Sequence, residues 1–299
     1  STIRICGTDQ MEALDFSPIM TYLNATLTLT ESYSAEGATH LRKLILADDE
    51  ESHVNTTLDS LNGLNRLYAL EELDVRRFSS LSALDISSLS SLHILRAQGT
   101  SLTVFRPADS VVLTEVSLPN TIVDFALKNA TVTTLSYTPT AALRSVSIEG
   151  TTGLDTSAFV SSWLDAATDL PSCSLTVDGV DWTCSADFLL RMAQIGTLSL
   201  RGKVTLTGKM TSSLYDSLKA AYGPNCFDQE STFYIVAGDI VTVEADKTTV
   251  SSGDTVTFRG ISFPDTSQTV RYRLYLGVNR VEEDTSKGTA PYNGAVLNC

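Results

Sequence analysis

The spacing of apolar residues between Ile122 and Leu135 is the most regular pattern in the chain. Apolar side chains occupy relative positions 1, 4, 6, 9, 11 and 14 of this stretch, and Asn129 stands just before the fourth of them. A helix repeats about every 3.6 residues and a strand every 2, so neither element accounts for the spacing. The pattern predicts a short strand, a turn at Asn129 and a second short strand. The Asn129 side chain can bond backbone groups that the turn would otherwise leave buried and unpaired.

Similar apolar spacings recur along the middle of the chain, several of them 11 or 21 residues apart. One such segment cannot bury its own apolar edge, so the recurrence predicts stacked neighbours, with the 11-residue intervals as two opposite edges of one coil. The matching segments are Leu41–Leu46, Leu70–Val75, Leu81–Ile86, Leu92–Ala97, Leu113–Leu118, Ile122–Leu127, Val132–Tyr137, Leu143–Ile148 and Ile195–Leu200.

These segments resemble leucine-rich repeats, whose pattern runs L-x-x-L-x-L-x-x-N-x-L. The resemblance implies a leucine-rich-repeat solenoid of short β-strands over residues 41–236. Helical insertions are predicted from the leucines between Leu58 and Leu67, and from helix starts near Asp155, Ser185 and Thr211. Residues 1–40 lack the repeat and are predicted to cap the exposed first edge.

The pattern changes near Ala237, where short alternating strands are separated by Gly, Pro and Asp. Strands are expected at about residues 240–243, 255–258 and 270–276, which is typical of a β-sandwich. The run Val250–Phe258 resembles the start of a bacterial immunoglobulin-like domain. The predicted fold class is therefore the solenoid followed by an all-β immunoglobulin-like domain over residues 237–299. A complete sandwich takes about 100 residues, so we expect these 63 residues to be an incomplete one.

The charge balance excludes some classes of partner. The chain has 299 residues, 21 Lys and Arg against 35 Asp and Glu, and a net charge of −14. Such a surface repels phosphate backbones and anionic lipid heads, so we expect neither nucleic-acid binding nor membrane insertion.

The cysteines and histidines show no spacing typical of a metal or redox site, so no metal or cofactor is expected. Cys173 and Cys184 could approach each other, but buried free thiols are the expected state of the cysteines. Trp163 and Trp182 lie in apolar patterns that favour core packing, with sugar stacking as the alternative. No catalytic residues are predicted.

Two groups of acidic residues are candidate chemical sites. Glu71, Glu72 and Asp74 could form a pair of catalytic acids, but a solvated acidic face is the commoner arrangement. The run Asp48–Glu51 could bind Ca²⁺, yet it lacks the alternating ligands and the turn glycine of a dedicated calcium loop. A solvated loop is the preferred interpretation.

The residue between the last two apolar positions of each segment should point outward from its strand and stack across the sheet. This row contains small and mostly polar side chains, without an aromatic or basic stripe. It suits contact with a protein or a glycan, or no contact at all. The candidate binding residues of this predicted ladder are Asp74, Asp85, Arg96, Ser117, Ser136 and Ser147.

The layout from about residue 41 to 270 also resembles surface proteins of gut bacteria and virion proteins of their phages. The resemblance is carried by Leu70–Val75, Ser117–Ile122 and the run that begins Val180-x-Trp182. It implies a non-catalytic exterior protein, an adhesin or a virion fibre, tail or decoration component, on a virion or a bacterial cell surface. Its partners would be a protein or glycan on a host surface, or neighbouring copies in an assembly. The alternative is a purely structural spacer with no ligand of its own.

Overall fold

The computed structural model describes residues 12–15, 27–28, 40–47, 54, 58–208, 212–236, 242–245, 255–262, 272–276, 279–284 and 293–298. The chain divides into two compact units, Ser1–Val180 with Gln194–Leu200 and Asp181–Ala193 with Arg201–Cys299. The domain bounds predicted above remain predictions. The acidic run 48–51 lies outside the described residues.

The described residues form short strands, three α-helices and two 3-10 turns. The helices are α1 (Thr156–Ala166), α2 (Ala186–Met192) and α3 (Ser212–Tyr222), and the 3-10 turns are Leu64–Arg66 and Leu170–Ser172. The strands are β1 (Ala13–Asp15), β2 (Leu27–Thr28), β3 (Lys43–Ile45), β4 (Leu61–Asn62), β5 (Glu72–Asp74), β6 (Ile94–Arg96), β7 (Val104–Phe105), β8 (Val112–Leu113), β9 (Glu115–Ser117), β10 (Asp124–Lys128), β11 (Thr131–Val132), β12 (Leu135–Ser136), β13 (Ser145–Glu149), β14 (Ser174–Asp178), β15 (Trp182–Ser185), β16 (Thr197–Leu200), β17 (Gly202–Thr207), β18 (Phe233–Val236), β19 (Thr242–Ala245), β20 (Thr255–Ser262), β21 (Tyr272–Leu276), β22 (Asn279–Asp284) and β23 (Asn293–Asn298).

Two parallel sheets dominate the first unit. A six-stranded sheet has the order β1-β3-β5-β6-β9-β12, and a five-stranded sheet has the order β16-β14-β13-β10-β7. Their inward side chains are buried, and include Val116 of the first sheet and Phe125 and Leu127 of the second. The prediction that these three residues belong to the core is confirmed. The other sheets among the described residues of the first unit are two parallel pairs, β2-β4 and β8-β11.

Helix α1 has the start and the buried face that the sequence predicts. The Asp155 side chain accepts a hydrogen bond from the Ala158 backbone N–H at 2.9 Å and so caps the first turn. Phe159, Val160, Trp163 and Leu164 lie on the buried face. The Trp163 indole N–H donates to the Leu143 carbonyl at 2.9 Å, which satisfies the polar atom of a fully buried ring.

The second unit contains a parallel sheet of order β15-β17-β18 and the helices α2 and α3. Ser185 caps α2 by accepting from the Phe188 N–H, as predicted. Trp182 is buried and its ring meets Phe188 edge to face. The core assignment of both tryptophans is therefore confirmed.

The predicted leucine-rich-repeat solenoid is wrong. The structure is instead of the α/β type, with mostly parallel sheets and few helices. Segment Leu81–Ile86 matches the repeat pattern but forms no strand, and segments Leu113–Leu118 and Ile122–Leu127 enter different sheets. The physical reason is that the apolar spacing reports which residues are buried, and any buried parallel strand between short loops can produce it.

The predicted all-β immunoglobulin-like domain is also wrong. The described strands after residue 237 form a three-stranded antiparallel sheet, β19-β20-β23, and a separate pair, β21-β22. The positions of β19, β20 and β21 agree closely with the predicted strands. A sandwich also needs two sheets, with about seven strands in total, packed face to face. The positions of the strands in the sequence do not specify which strands pair or how the sheets pack.

The insertion after Leu58 is likewise not the predicted helix. It forms β4 and then a 3-10 turn. All four of its leucines are nevertheless buried, so the helical spacing identified the correct residues for the core and the wrong backbone. These residues are Leu58, Leu61, Leu64 and Leu67.

Candidate binding faces

The outer surface of the six-stranded sheet carries most of the predicted ladder. Leu44, Leu73, Leu95 and Val116 point inward and are buried, so the residues on either side of each point to the opposite face. We call this outer surface the charged face; its residues are Ala13, Asp15, Lys43, Ile45, Glu72, Asp74, Ile94, Arg96, Glu115, Ser117 and Ser136.

The structure brings four of the six predicted ladder residues together. The strand register places Asp74 beside Arg96, Arg96 beside Ser117 and Ser117 beside Ser136. Asp85 lies outside the strands, where its side chain accepts hydrogen bonds from the backbone N–H and the hydroxyl of Ser87.

The sixth predicted residue, Ser147, belongs to the five-stranded sheet. The expectation that the ladder points into solvent also fails for two members. Asp74 is only 2% exposed and Ser117 only 3%, while Ser136 is exposed. The ladder as predicted is therefore not one continuous accessible surface.

Arg96 joins three strands of the charged face. Its Nε and Nη2 donate to the two carboxylate oxygens of Glu115 at 2.7 and 2.9 Å, and its Nη1 donates to Glu72 at 2.6 Å. Lys43 Nζ approaches the other oxygen of Glu72 at 2.9 Å. Two-pronged bonds between a guanidinium and a carboxylate combine strength with a fixed geometry.

These ion pairs shift the acidity of the carboxyl groups. Burial works to raise the pKa of Glu72, but hydrogen bonds and charge from Lys43 and Arg96 outweigh it and leave that pKa lowered. The Arg96 guanidinium lowers the pKa of Glu115, and the two carboxylates raise the pKa of Arg96.

The three acids of the candidate catalytic site are each bound to a cation. Glu71 pairs with Arg42, Glu72 with Lys43 and Arg96, and Asp74 accepts two-pronged bonds from Arg76 at 2.7 to 3.0 Å. The geometry is that of a charge-balanced network in which Glu72 and Asp74 are buried, and not the solvated acidic face that the sequence predicts.

The outer surface of the five-stranded sheet is different in character. Phe125, Val146 and Leu175 point inward and are buried, and the alternate positions carry small hydroxyl side chains in register across the strands. We call this surface the hydroxyl face; its hydroxyl residues are Ser145 and Ser147 of β13, Ser174 and Thr176 of β14, and Thr197 and Ser199 of β16.

The hydroxyl face is accessible to a partner. Thr197 and Ser199 are exposed, and the other four hydroxyl residues are half-buried. The Ser147 hydroxyl donates to Glu149 at 3.0 Å. Ser147 is the one residue of this face that belongs to the predicted ladder. The strict alternation in Ser145–Glu149, Ser174–Asp178 and Thr197–Leu200 is the signal that could have found the rest.

A column of tight turns ends these strands. Asn129 and Gly150 follow β10 and β13, and both have positive φ, 52° and 53°. A Cβ at Gly150 would overlap the Asn129 side-chain oxygen, and this overlap together with the positive φ favours glycine there. The predicted turn at Asn129 is confirmed, and its backbone N–H donates to the Glu149 carbonyl at 2.7 Å.

The described cysteines, Cys173, Cys184 and Cys226, are buried free thiols, as expected. Burial raises the pKa of Cys184 to about 12, so its reactive thiolate form is disfavoured at neutral pH. His93 Nδ1 lies 2.8 Å from the Val112 carbonyl oxygen. Among the described residues, no group of three or more His, Cys, Asp or Glu side chains is arranged to hold a metal ion.

Neither the models of protein families nor the curated protein sequences include a match to this chain. Within the described part of the chain, no helix combines the length and apolar character needed to cross a membrane.

Proposed function

We propose that this chain is a non-catalytic binding protein of an exterior surface, such as an adhesin or a phage virion component. It contacts a protein or glycan on a host or partner surface through the hydroxyl face. The proposal includes an extracellular location, on a virion or a bacterial cell surface. It rests on the properties of that face and on the acidic charge of the chain.

The observation that carries the proposal is the in-register set of small hydroxyl residues on three neighbouring strands, β13, β14 and β16. Parallel strands lie about 4.8 Å apart, so these side chains form a flat surface of evenly spaced donors and acceptors. Short side chains lose little rotamer entropy on contact. Such a surface suits a flat protein or glycan partner better than a small molecule, which is usually bound in a concave pocket.

A purely structural role is the second candidate, and the charged face favours it. There the charged side chains are already paired with one another, through Lys43–Glu72, Glu72–Arg96 and Arg96–Glu115. A partner would have to replace these bonds before gaining new ones. If the hydroxyl face also bound no partner, the chain would act as a spacer within an assembly.

The test is a binding measurement on the full chain against a panel of bacterial cells and immobilised glycans. Thr176→Arg places a large charged side chain in the middle of the hydroxyl face and is expected to abolish binding. Ser136→Arg places the same side chain on the exposed end of the charged face and is the matched control. It is expected to leave binding unchanged.

Equal loss of binding in both variants would contradict the assignment to the hydroxyl face. Absence of binding by the unmodified chain, together with ordered self-assembly, would favour the structural role. Circular dichroism of both variants shows whether either substitution has disturbed the fold.

A further inference from the structure

The charged face contains a continuous chain of charges that crosses four strands. Lys43 belongs to β3, Glu72 to β5, Arg96 to β6 and Glu115 to β9. We propose that these four side chains form an acid-released clamp. The clamp holds strands β3, β5, β6 and β9 together at neutral pH, and these strands separate more easily in acid. The inference is independent of the proposed function.

The clamp depends on side-chain bonds that bridge strands distant in sequence. Arg96 binds residues 24 and 19 positions away, Glu72 and Glu115. Between those two glutamates the register places only Ile94, so the guanidinium is the polar link between β5 and β9. Loss of either glutamate's charge therefore removes a bond between strands as well as a surface ion pair.

Other charged groups face the same surface. Asp74 is held by Arg76, and Arg76 also contributes favourable charge at Glu115. Arg42 and Glu71 pair alongside. Asp15 of β1 lies on the same face beside Ile45. At neutral pH the three cations Lys43, Arg76 and Arg96 therefore stand against four acids, Asp15, Glu72, Asp74 and Glu115. With both glutamates protonated, the three cations face two acids, so the charge of the face changes from −1 to +1 and the bonds to Arg96 are weakened.

The direction of the pH effect follows from linkage. Both glutamates have a lowered pKa in the folded chain relative to the ordinary value of 4.5. Their contribution to stability is therefore complete above about pH 4.5 and is lost as the pH falls through the lower folded values. The side chain of Glu72 is 11% exposed and that of Glu115 is 45% exposed. Since solvent screens the more exposed pair, protonation of Glu72 should have the larger effect.

The hydroxyl face provides an internal comparison. Its central residues on β13 and β14 are uncharged Ser and Thr, and the acids of these two strands, Glu149 and Asp178, stand at their last positions. Acid should therefore leave the central part of both strands paired. Hydrogen–deuterium exchange of the full chain at several pH values between about 7 and 3 compares the two sheets. After correction for the intrinsic exchange rates, amide protection of β5, β6 and β9 should fall about tenfold or more in acid. Protection of β13 and β14 should stay nearly constant.

Three variants test the clamp itself. Glu72→Gln should show the loosened state already at neutral pH and a flattened pH profile. Glu115→Gln, at a more exposed position that better tolerates change, should show a smaller effect of the same kind. Arg96→Lys keeps the charge but loses the two-pronged bond, so its protection should be intermediate. Asp124→Asn is the matched control, because it removes an acid paired with Arg106 on the other sheet; it should retain the acid-dependent loss in β5, β6 and β9.

Two results would overturn the proposal. One is an equal acid-induced loss of protection in both sheets of the unmodified chain. The other is a pH profile of Glu115→Gln and Arg96→Lys that coincides with that of the unmodified chain.

Discussion

Phe125 lies at the centre of an aromatic cluster that connects the five-stranded sheet to helix α1. Its ring centroid is 5.2 Å from that of Phe105, 4.6 Å from that of Phe159 and 6.1 Å from that of Tyr137. Pairs at these distances add to the stabilisation expected from buried area alone. The Tyr137 hydroxyl is enclosed with them, and burial raises the pKa of Tyr137 to about 12. This residue therefore stays neutral over the physiological pH range.

Phe125→Ala should lower the free energy of unfolding by about 3–5 kcal/mol, because the cavity left among three other rings adds to the lost transfer energy. Val104→Ala, on the adjacent strand but 45% exposed, is the control and should change it by less than about 0.5 kcal/mol. Urea denaturation of both variants measures the difference. A cost below about 1 kcal/mol for Phe125→Ala would contradict the assignment of this residue to the core.

At the scale of the elements, local signals predicted position better than pairing. The starts of α1 and α2 were predicted correctly from the capping residues Asp155 and Ser185 and from the apolar positions that follow them. Caps and helical periodicity are local in sequence, so they can be recognised without knowledge of the fold. The sheets required more. Segments Leu70–Val75 and Leu92–Ala97 both form strands, and their pairing places Asp74 beside Arg96. The segment between them, Leu81–Ile86, has the same apolar spacing but forms no strand, so the spacing alone does not determine which segments pair.

The same distinction explains the candidate site. The sequence placed Arg96 and Ser117 in one row correctly, since both follow the inward residue of a strand. It gave no sign that Arg96 would bind Glu72 and Glu115, because side-chain pairing between distant strands depends on the register of both. The alternation of hydroxyl and apolar residues within each strand is present in the sequence. The extent of the hydroxyl face depends on the pairing of β13, β14 and β16, which the sequence does not specify.

Asp155→Ala tests the predicted cap of α1. Removing the carboxylate leaves the Ala158 N–H without its partner, and caps of this kind typically contribute about 1 kcal/mol. The expected loss of stability is therefore about 0.5–2 kcal/mol. Asp155→Ser retains a hydroxyl acceptor and should recover most of it. If the serine variant were as unstable as the alanine variant in thermal denaturation, the cap could not be the source of the effect.

At the scale of the whole chain, the described strands of the first unit are parallel, and each is hydrogen-bonded to its immediate neighbours in its sheet. Each strand of the five-stranded sheet is bonded to one or two others, β10 to β7 and β13. An arrangement of this kind favours local opening, since breaking one pairing leaves remote strands with their own partners. The two faces can consequently differ in stability and in their response to pH.

Local opening predicts how damage at Phe125 should spread. In Phe125→Ala, amide protection should fall first in β10 and in its partners β7 and β13, and then in β14. Protection in β3 and β5 of the other sheet should fall least. Hydrogen–deuterium exchange under native conditions measures each of these strands in one experiment. If protection instead fell by the same factor in β13 and in β3, the first unit would open as one cooperative whole, and the independence of the two faces would have to be abandoned.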